Sequence, residues 1–374
     1  MVNLVQPRSS LAGIAAASWN ALAGADHPFV SHAYLYALEA SNSAVAETGW
    51  EAAHLLAEHD GALRAALPLY RKHHSWGEFV FDFAWADACH RAGLAYYPKF
   101  LTAVPFTPVA GPRLLGNDAE TLIEAGLELM AAEDVLTWHV LFPDEAEHEL
   151  WRAYGFLPRM DVRFIWRDRG FGDFDGFLAA LNHKRRKEIG RERRRVKDAG
   201  IRFRTLTGHD LDDETLTALY RCYASTYHLR GRHPYLTAQF FRLLAGQLPE
   251  TLVVFAAERD GEMIAAAICM RDHDTLYGRW WGALEDVPGL HFEACYYQGI
   301  AYCLEQGLTR YDPGTQGEHK LARGFAPEPA WSMHRLAHPG LEAAVRDALK
   351  HETALVQAYI DDCRAHLPYR RDTQ

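Results

Sequence analysis

The segment from Tyr311 to Phe325, YDPGTQGEHKLARGF, concentrates acids, bases and cations around two glycines. Gly314 and Gly317 let the backbone approach a ligand closely, because glycine carries no side chain. The polar side chains of this loop are Asp312, Gln316, Glu318, His319, Lys320 and Arg323. Loops that follow strands in α/β domains commonly carry function, so we expect substrate contacts here. Lys320 could stabilise a developing oxyanion or hold a phosphate, as acyl transfer requires; the simpler interpretation is a polar loop.

A second candidate lies at Gly289–Glu293, GLHFE, between a predicted strand and the helix that follows it. His291 or Glu293 could act as the general base that removes a proton from an amine. Glu293 could equally be an acidic residue that is favoured at a helix N-terminus by the macrodipole.

The first half of the chain offers a third set of polar and aromatic side chains. FDFAWADAC (81–89) supplies Asp82, Trp85 and Asp87, and Lys99, Thr107 and Arg113 follow. Prolines at 98, 105, 108 and 112 predict a long shaped loop from Asp82 to Arg113, and such loops are usually functional. The alternative is a packed aromatic surface loop.

Positive charge is concentrated in HKRRKEIGRERRRVK (183–197), which holds nine Lys/Arg in fifteen residues of a chain with net charge -10. This contrast predicts contact with a polyanion, such as tRNA, a nucleotide diphosphate or another phosphate-rich ligand. The alternative is a solvated helix, because Glu188 and Glu192 stand where i,i+4 pairing would support one.

Several chemistries have no sequence support. The nucleophile motif GxSxG, the zinc motif HExxH, the P-loop and the Rossmann GxGxxG are absent, and no histidines show ligand spacing, so we expect no metal. The six cysteines form no CxxC pair, which predicts reduced thiols and a cytoplasmic protein. No apolar stretch is long enough to span a membrane, and the apolar run after Arg8 is interpreted as an amphipathic helix.

These residues require a mixed α/β framework of 374 residues, long enough for two or three domains. Hairpins turning at Asp60-Gly61 and Asp260-Gly261 are each followed by a central strand, a helix and a strand, which suggests a duplication. We predict domains 1–170 and 171–374, joined near Asp168–Gly172. The second contains a long helix over Phe174–Ala199, the loop 311–325 and an amphipathic C-terminal tail.

The tandem halves, the basic helix, the YDPG strand end and GEHKLARGF resemble the Fem-type acyltransferases, which have two GNAT-like domains. FDFAWADA, YYPKF, VPFTPVAGPRLL and RWWGALEDVPGLHFEACYYQGI are similar to a bacterial Fem-like family of predicted N-acyltransferases. The resemblance implies two mixed sheets flanked by helices. It also implies transfer of an aminoacyl group from aminoacyl-tRNA to an amine of a peptidoglycan precursor.

The resemblance also implies roles for individual residues. In the family, a lysine shortly before a Phe-Gly-like turn assists transfer, and the matching residue is Lys320, although Phe325 is followed by Ala326. The basic helix resembles the donor-facing element, which makes phosphate contacts of Lys184, Arg185, Arg186, Arg193 and Arg194.

The predicted reaction needs an activated donor and no further cofactor. The coenzyme A signature Q/R-x-x-G-x-G/A is missing from EDVPGLHFEACYY, so aminoacyl-tRNA is favoured and acyl-CoA is the alternative. We expect a cleft between the two domains, in which the amine of a small molecule or peptide loses a proton to Glu293, His291 or, through water, Asp312. Lys320 and backbone N–H groups near Gly317 would hold the oxyanion. A non-catalytic tRNA- or nucleotide-binding protein is the second alternative; the acceptor and the oligomeric state stay open.

Overall fold

The computed structural model describes residues 4–24, 27–315 and 317–370. The chain divides into two compact units. The first runs to Asp161 and includes Pro329–Ala358; the second comprises Val162–Glu328 and the residues from Tyr359 onward. Residues 329–358 therefore belong with the first unit, whereas the sequence analysis assigns them to the second domain. The chain passes between units within the strands Leu157–Arg167 and Ala326–Leu336 and the helix Pro339–Ala365.

The first unit contains two groups of paired strands. One is antiparallel, in the order Leu4–Arg8, His54–His59, Ala62–Leu67, Leu115–Gly116. The other has the order Ala326–Leu336, Thr137–Leu141, Lys99–Thr102, Tyr70–Lys72, Trp50–Ala52, and only its second and third strands pair in parallel. The α-helices lying wholly in this unit are Ala16–Ala23, His32–Ala40, Phe83–Arg91, Ala119–Ala132 and His148–Ala153. Trp138, Trp151 and Phe156 meet edge to face in its core.

The second unit is built on one largely antiparallel sheet. Its strand order is Arg202–Thr207, Leu252–Arg259, Glu262–Arg271, Thr275–Ala283, Arg310–Asp312, Leu157–Arg167, and only Thr275–Ala283 and Arg310–Asp312 pair in parallel. Its helices are Phe174–Ala180, His183–Asp198, Asp213–His228, Ala238–Gln247, Leu290–Phe292, the π-helix Glu293–Tyr297 and Gln298–Gln306. Trp166, Phe177 and Tyr297 are fully buried members of its core.

Both predicted hairpins are confirmed. Asp60 and Gly61 have φ of 52° and 76°, and Asp260 and Gly261 have 55° and 86°, the left-handed conformation that a tight Asp-Gly hairpin turn requires. Local turn chemistry therefore determined these elements.

Three predicted segments are wrong in detail. The helix over Phe174–Ala199 is interrupted at Leu181, because the Asn182 side chain accepts a hydrogen bond from Arg185 N at 3.1 Å and starts a new helix. The predicted loop from Asp82 to Arg113 contains the helix Phe83–Arg91 and the strand Lys99–Thr102, which lie between its prolines. The C-terminal tail is preceded by the strand Ala326–Leu336 and forms the single helix Pro339–Ala365.

Gly282 provides a test of the packing between a helix and the sheet in the second unit. A Cβ at this position would lie 1.6 Å from Cys222 O in the helix Asp213–His228. We expect Gly282→Ala to lower the free energy of unfolding by about 1–3 kcal/mol, because the helix must shift to make room. Gly246→Ala is the matched control, since a Cβ there meets nothing within 4 Å in a helix, and it should be neutral or slightly stabilising. Equal urea denaturation midpoints for the two variants would contradict this account.

Candidate functional site

The second unit contains a pocket of about 400 Å³ where its two parallel strands part. Thr275–Ala283 and Arg310–Asp312 pair from Thr275 to Tyr277, after which the shorter strand ends and the longer one continues. The pairing of Glu262–Arg271 with Thr275–Ala283 shifts register between Ile268 and Cys269, which leaves Arg279 as an extra residue. Both irregularities supply pocket walls, from residues 278–281 on one side and 313–315 on the other.

The walls of this second-unit pocket combine cations with aromatic rings. The lining side chains with polar or aromatic groups are Arg230, Arg279, Trp280, Trp281, His291, Cys295, Tyr296, Tyr311, Thr315, His319 and Lys320. His291, His319 and Lys320 were predicted from the sequence, and the structure brings these three together at one pocket.

Lys320 is held at the pocket by backbone carbonyls. Its side chain is buried, and Nζ donates to Gly314 O at 2.5 Å and to Thr315 O at 2.8 Å. An ammonium has three N–H donors, so these two bonds leave a third for a ligand oxygen. Burial lowers the pKa of Lys320 to about 8. The negative charge of the nearby Asp312 carboxylate acts in the opposite direction but does not cancel this effect. Gly314 has a φ of 89°, a conformation that favours glycine and turns its carbonyl to the ammonium.

The two histidines enter the pocket from different elements. His291 lies in the short helix Leu290–Phe292, which leads into the π-helix Glu293–Tyr297, and π-helical turns occur frequently at functional sites. Burial lowers the pKa of His291 to about 4, with further lowering by the charges of His319, Arg323 and Lys320. His319 is exposed and lies 2.7 Å from Tyr296 OH through Nε2. His291 is therefore uncharged at neutral pH and can accept a proton.

Other predicted residues of the second unit are occupied by structural contacts. Glu293 accepts from Arg193 Nε at 3.2 Å and from Gln298 Nε2 at 2.7 Å, and it does not line the pocket. Asp312 Oδ1 accepts from Gly314 N at 3.0 Å. Arg323 donates to Tyr297 OH, His319 O and Glu192 and stacks on Phe292. Glu318 is exposed and accepts from Tyr359 OH, and Gln316 lies outside the described residues.

The basic helix His183–Asp198 has a packed face and an open face. Ile189 and Val196 are buried, and Glu192 accepts from Arg323 at 2.8 Å. Among the predicted phosphate contacts, Lys184 and Arg194 are exposed and Arg186 is half-buried. Arg185 pairs with Glu188 at 2.7 Å, and Arg193 pairs with Glu293 and stacks on Phe174. Arg193 is thus engaged in packing within the unit, and the exposed cations Lys184 and Arg194 remain accessible to an anion.

The predicted residues of the first unit lie on several elements of that unit. Arg113 is buried and donates to the carbonyls of Leu141, Gly111, Pro112 and Val109, so its guanidinium holds backbone. Thr107 is buried against Tyr34 OH, and Asp87 is exposed and pairs with Arg91. Trp85 lies edge to face with His334. These contacts are structural, and the cleft predicted between the two domains stays a prediction.

Asp82 and Lys99 belong to a buried polar network in the first unit. We call the residues Glu78, Asp82, Tyr96, Lys99, His139, Ser332 and His334 the first-unit network. Lys99 Nζ donates to Ser75 Oγ and Glu78 Oε2, both at 2.8 Å, and to Asp82 Oδ2. Burial raises the pKa of Glu78 to about 7, while Lys99 and His139 hold that of Asp82 at about 2 in spite of burial.

The rest of the first-unit network is a chain of short contacts. Tyr96 OH donates to Asp82 Oδ2 at 2.6 Å and lies 3.1 Å from His139 Nε2. His139 Nδ1 lies 2.7 Å from His334 Nδ1, and His334 Nε2 lies 2.8 Å from Ser332 Oγ. Burial lowers the pKa of both histidines, that of His139 to about 3. Two neutral rings satisfy this chain if each donates from one nitrogen and accepts at the other.

Sequence reasoning missed several of these residues. Arg279 and Trp281 were assigned only to a strand, although Gly278 and Gly282 beside them signal a bulge or a close approach. His139 lies in the buried strand Thr137–Leu141, and a histidine there requires a polar partner. That partner, His334, is distant in sequence and carries no local signal.

One turn of the second unit brings two carboxylates and a histidine together. Asp272, His273 and Asp274 could together offer ligands to a metal ion, but Asp272 Oδ1 accepts from Asp274 N and Thr275 N and so caps the turn. No helix in the described part of the chain combines the length and apolar character needed to cross a bilayer.

Comparison with known proteins gives similarities at the level of family and fold. A model of the FemAB-like family, described as peptidoglycan biosynthesis/recognition, matches residues 10–371. No curated protein sequence matches significantly. The structure of FemX superposes with a TM-score of 0.53 at 12% identity, covering 89% of this chain and 98% of that one. The C-terminal domain of a putative lysylphosphatidylglycerol synthetase from Agrobacterium fabrum gives 0.50 at 12% identity, covering 67% and 81%.

The similarity to FemX extends over most of both chains. It confirms the predicted mixed α/β fold with two tandem GNAT-like domains. At 12% identity it concerns the path of the backbone. The chemistry of this chain therefore depends on its own side chains.

Proposed function

Because the chain belongs to the FemAB-like family of peptidoglycan biosynthesis and recognition proteins, we propose that it is an N-acyltransferase. It moves an aminoacyl or acyl group from an activated donor to the amine of a peptidoglycan precursor. The observation that carries this proposal is the Lys320 ammonium, which two carbonyls fix at the wall of the second-unit pocket with a donor to spare. A preorganised cation in a partly dry site is what stabilises the oxyanion of acyl transfer.

The proposed step is direct attack of the amine on the donor carbonyl. The nitrogen lone pair forms the new C–N bond, and the carbonyl oxygen takes the negative charge and accepts from Lys320. The attacking nitrogen is positively charged once the new bond forms, and it gives a proton to a base of the pocket. When the tetrahedral species collapses, the carbonyl re-forms, the ester C–O bond breaks with its electron pair going to the leaving oxygen, and that oxygen receives the proton from the base. An activated ester already lies above an amide in free energy, so no covalent enzyme intermediate is required. Alignment of the two substrates supplies much of the rate.

We assign proton transfer to His291 among the three bases that the sequence offers. It lines the pocket, and its pKa of about 4 keeps it unprotonated at neutral pH. A weak base of this kind passes the proton on readily to the leaving alkoxide. Glu293 and Asp312 are less suited, because their carboxylates bind Arg193 and Gly314 N respectively.

Aminoacyl-tRNA remains our preferred donor over an acyl-CoA. A GNAT enzyme binds the coenzyme A pyrophosphate at the helix N-terminus that follows the central strand. Here that connection carries Glu285, which pairs with Arg259, and the exposed Asp286. These carboxylates would repel a pyrophosphate, whereas the open face of the basic helix suits a tRNA backbone.

The proposal is tested by a transfer assay with the purified full chain. A peptidoglycan precursor peptide with a free amine is incubated with a pool of charged tRNAs or with acetyl-CoA, and amide products are measured by mass spectrometry. We expect product from charged tRNA, and weaker tRNA binding when Lys184 and Arg194 are both changed to Gln. If product forms with acetyl-CoA and none forms with charged tRNA, the donor is an acyl-CoA and not aminoacyl-tRNA. If tRNA stabilises the folded protein but no donor gives product, the chain is a tRNA-binding protein, and the proposal that it is an enzyme is wrong.

A further inference from the structure

The second-unit pocket has an excess of positive charge. The cations Arg230, Arg279 and Lys320 line it, the uncharged His291 lies beside them, and none of its described lining residues is an aspartate or a glutamate. The nearby acids are engaged elsewhere: Asp312 Oδ2 lies 4.0 Å from Arg163, and Glu293 pairs with Arg193. Glu293 is thereby balanced by Arg193, and the charge of Asp312 is shared between Arg163 and Lys320, whose pKa it raises.

The cations of the pocket act on one another. Arg279 contributes to lowering the pKa of Lys320, so the two charges are close enough to repel. Burial raises the pKa of Tyr227, and the charges of Arg279 and Arg230 both oppose that rise, which places both guanidinium groups near one phenol. Such a group of like charges in a partly buried pocket is stabilised when an anion enters.

The chain positions these cations by separate means. Arg279 is the extra residue of the bulge in Thr275–Ala283, Arg230 follows the helix Asp213–His228, and Lys320 is fixed by two carbonyls. Contributions from three different elements make the charge a property of the pocket rather than of one basic segment.

We propose that the second-unit pocket binds an anionic oxygen group of the acyl donor, a carboxylate or a phosphate, and disfavours a donor whose side chain carries an ammonium. This inference rests on the proposed function for its assignment to the donor. The carboxylate would belong to the acyl group itself, and the phosphate to the terminal nucleotide of the donor. Both place oxygen anions within reach of Arg230 and Arg279, where guanidinium groups can bind them with two parallel N–H bonds. A cationic acyl group such as lysyl finds no counter-charge on the described walls.

Binding of three small probes to the full chain tests the ligand class. Glutarate represents the carboxylate, adenosine 5'-monophosphate the phosphate, and lysine amide the cation; affinities are measured by calorimetry at low salt. We expect one of the anions to bind at least about 10-fold more tightly than lysine amide, and binding to weaken as salt is added. The anion that binds identifies its source. Equal or stronger binding of lysine amide would overturn the proposal.

Variants of the two arginines connect the binding to this pocket. Arg230→Gln changes an exposed side chain, and Arg279→Gln changes a half-buried one, so the first remains informative if the second misfolds. Each should weaken binding of the anion about 10-fold or more. Arg221→Gln is the matched control, because Arg221 is exposed on the same helix that precedes Arg230 and does not line this pocket. Unchanged affinity in Arg230→Gln and in a folded Arg279→Gln would also overturn the proposal.

Turnover separates this inference from the function on which it rests. If the pocket binds a carboxylate, the rate of transfer from glutamyl-tRNA should exceed the rate from lysyl-tRNA. If both react at the same rate and neither anionic probe binds, the charge inference fails while acyl transfer stands. If an anion binds through Arg230 and no donor reacts, the proposed function fails while the anion site stands.

Discussion

Lys99→Met is expected to lower the free energy of unfolding by about 3–5 kcal/mol. Lys99 is fully buried, and its ammonium bridges Glu78, Asp82 and Ser75. Removing it leaves two buried carboxylates without the cation that both of them bind, with only the weaker effect of Lys72 on Glu78 remaining, and this costs far more than the ion pair itself contributes. Urea denaturation followed by tryptophan fluorescence measures the loss. Lys350→Met is the matched control, because Lys350 is an exposed lysine of the same unit, and it should change stability by less than about 0.5 kcal/mol.

The pH dependence of this loss distinguishes charge from packing. Without Lys99 the folded-state pKa values of Glu78 and Asp82 rise, so both carboxyls are neutral at low pH and charged at high pH. A raised folded-state pKa gives stability that is present at low pH and is lost as pH increases through that value. The penalty of Lys99→Met should therefore be smaller at pH 5 than at pH 8. Lys99→Met combined with Glu78→Gln and Asp82→Asn should recover much of the stability. A penalty that is independent of pH would show that lost packing dominates.

The first-unit network also shows how far sequence reasoning reaches. Asp82 and Lys99 were selected as chemically suggestive, and their polar neighbours explain why they stand in an aromatic segment. Their partnership was not predictable, because Lys99 lies on a strand and Asp82 at the start of a helix inside what was expected to be one loop. Hairpin turns were predicted well, since Asp60-Gly61 and Asp260-Gly261 encode their conformation locally.

The second-unit pocket was predicted only in part for the same reason. The loop from Tyr311 to Phe325 was identified by its own composition, and it supplies Lys320 and His319 to the pocket. Arg279 becomes a wall residue through a register shift between two strands, a property of their pairing that neither strand shows alone. Glu293 was selected as a base from its position in the sequence. Its carboxylate is paired with Arg193, a residue 100 positions away in the sequence, and so is not free to act as a base. Contacts between distant elements decide which charged groups are available for chemistry.

Lys320→Met is expected to lower kcat of the proposed transfer by about 10²–10³-fold with little change in KM. The ammonium acts on the oxyanion, which exists in the transition state and not in the bound donor, so its removal affects turnover more than binding. Product formation at saturating donor and acceptor measures kcat. Arg221→Gln, which alters an exposed cation of the same unit outside the pocket, should leave kcat unchanged.

The pH profile provides the readout that a purely structural lysine would not affect. Because the pKa of Lys320 is lowered to about 8, the ammonium loses its proton as pH rises through that value, and kcat/KM of the wild-type protein should fall above pH 8. In Lys320→Met this alkaline limb should be absent, and the low residual rate should be flat across the same range. Retention of the limb in the variant would assign the titration to another group. Wild-type turnover in Lys320→Met would remove the lysine from the mechanism, because the oxyanion would then be stabilised by other donors of the pocket.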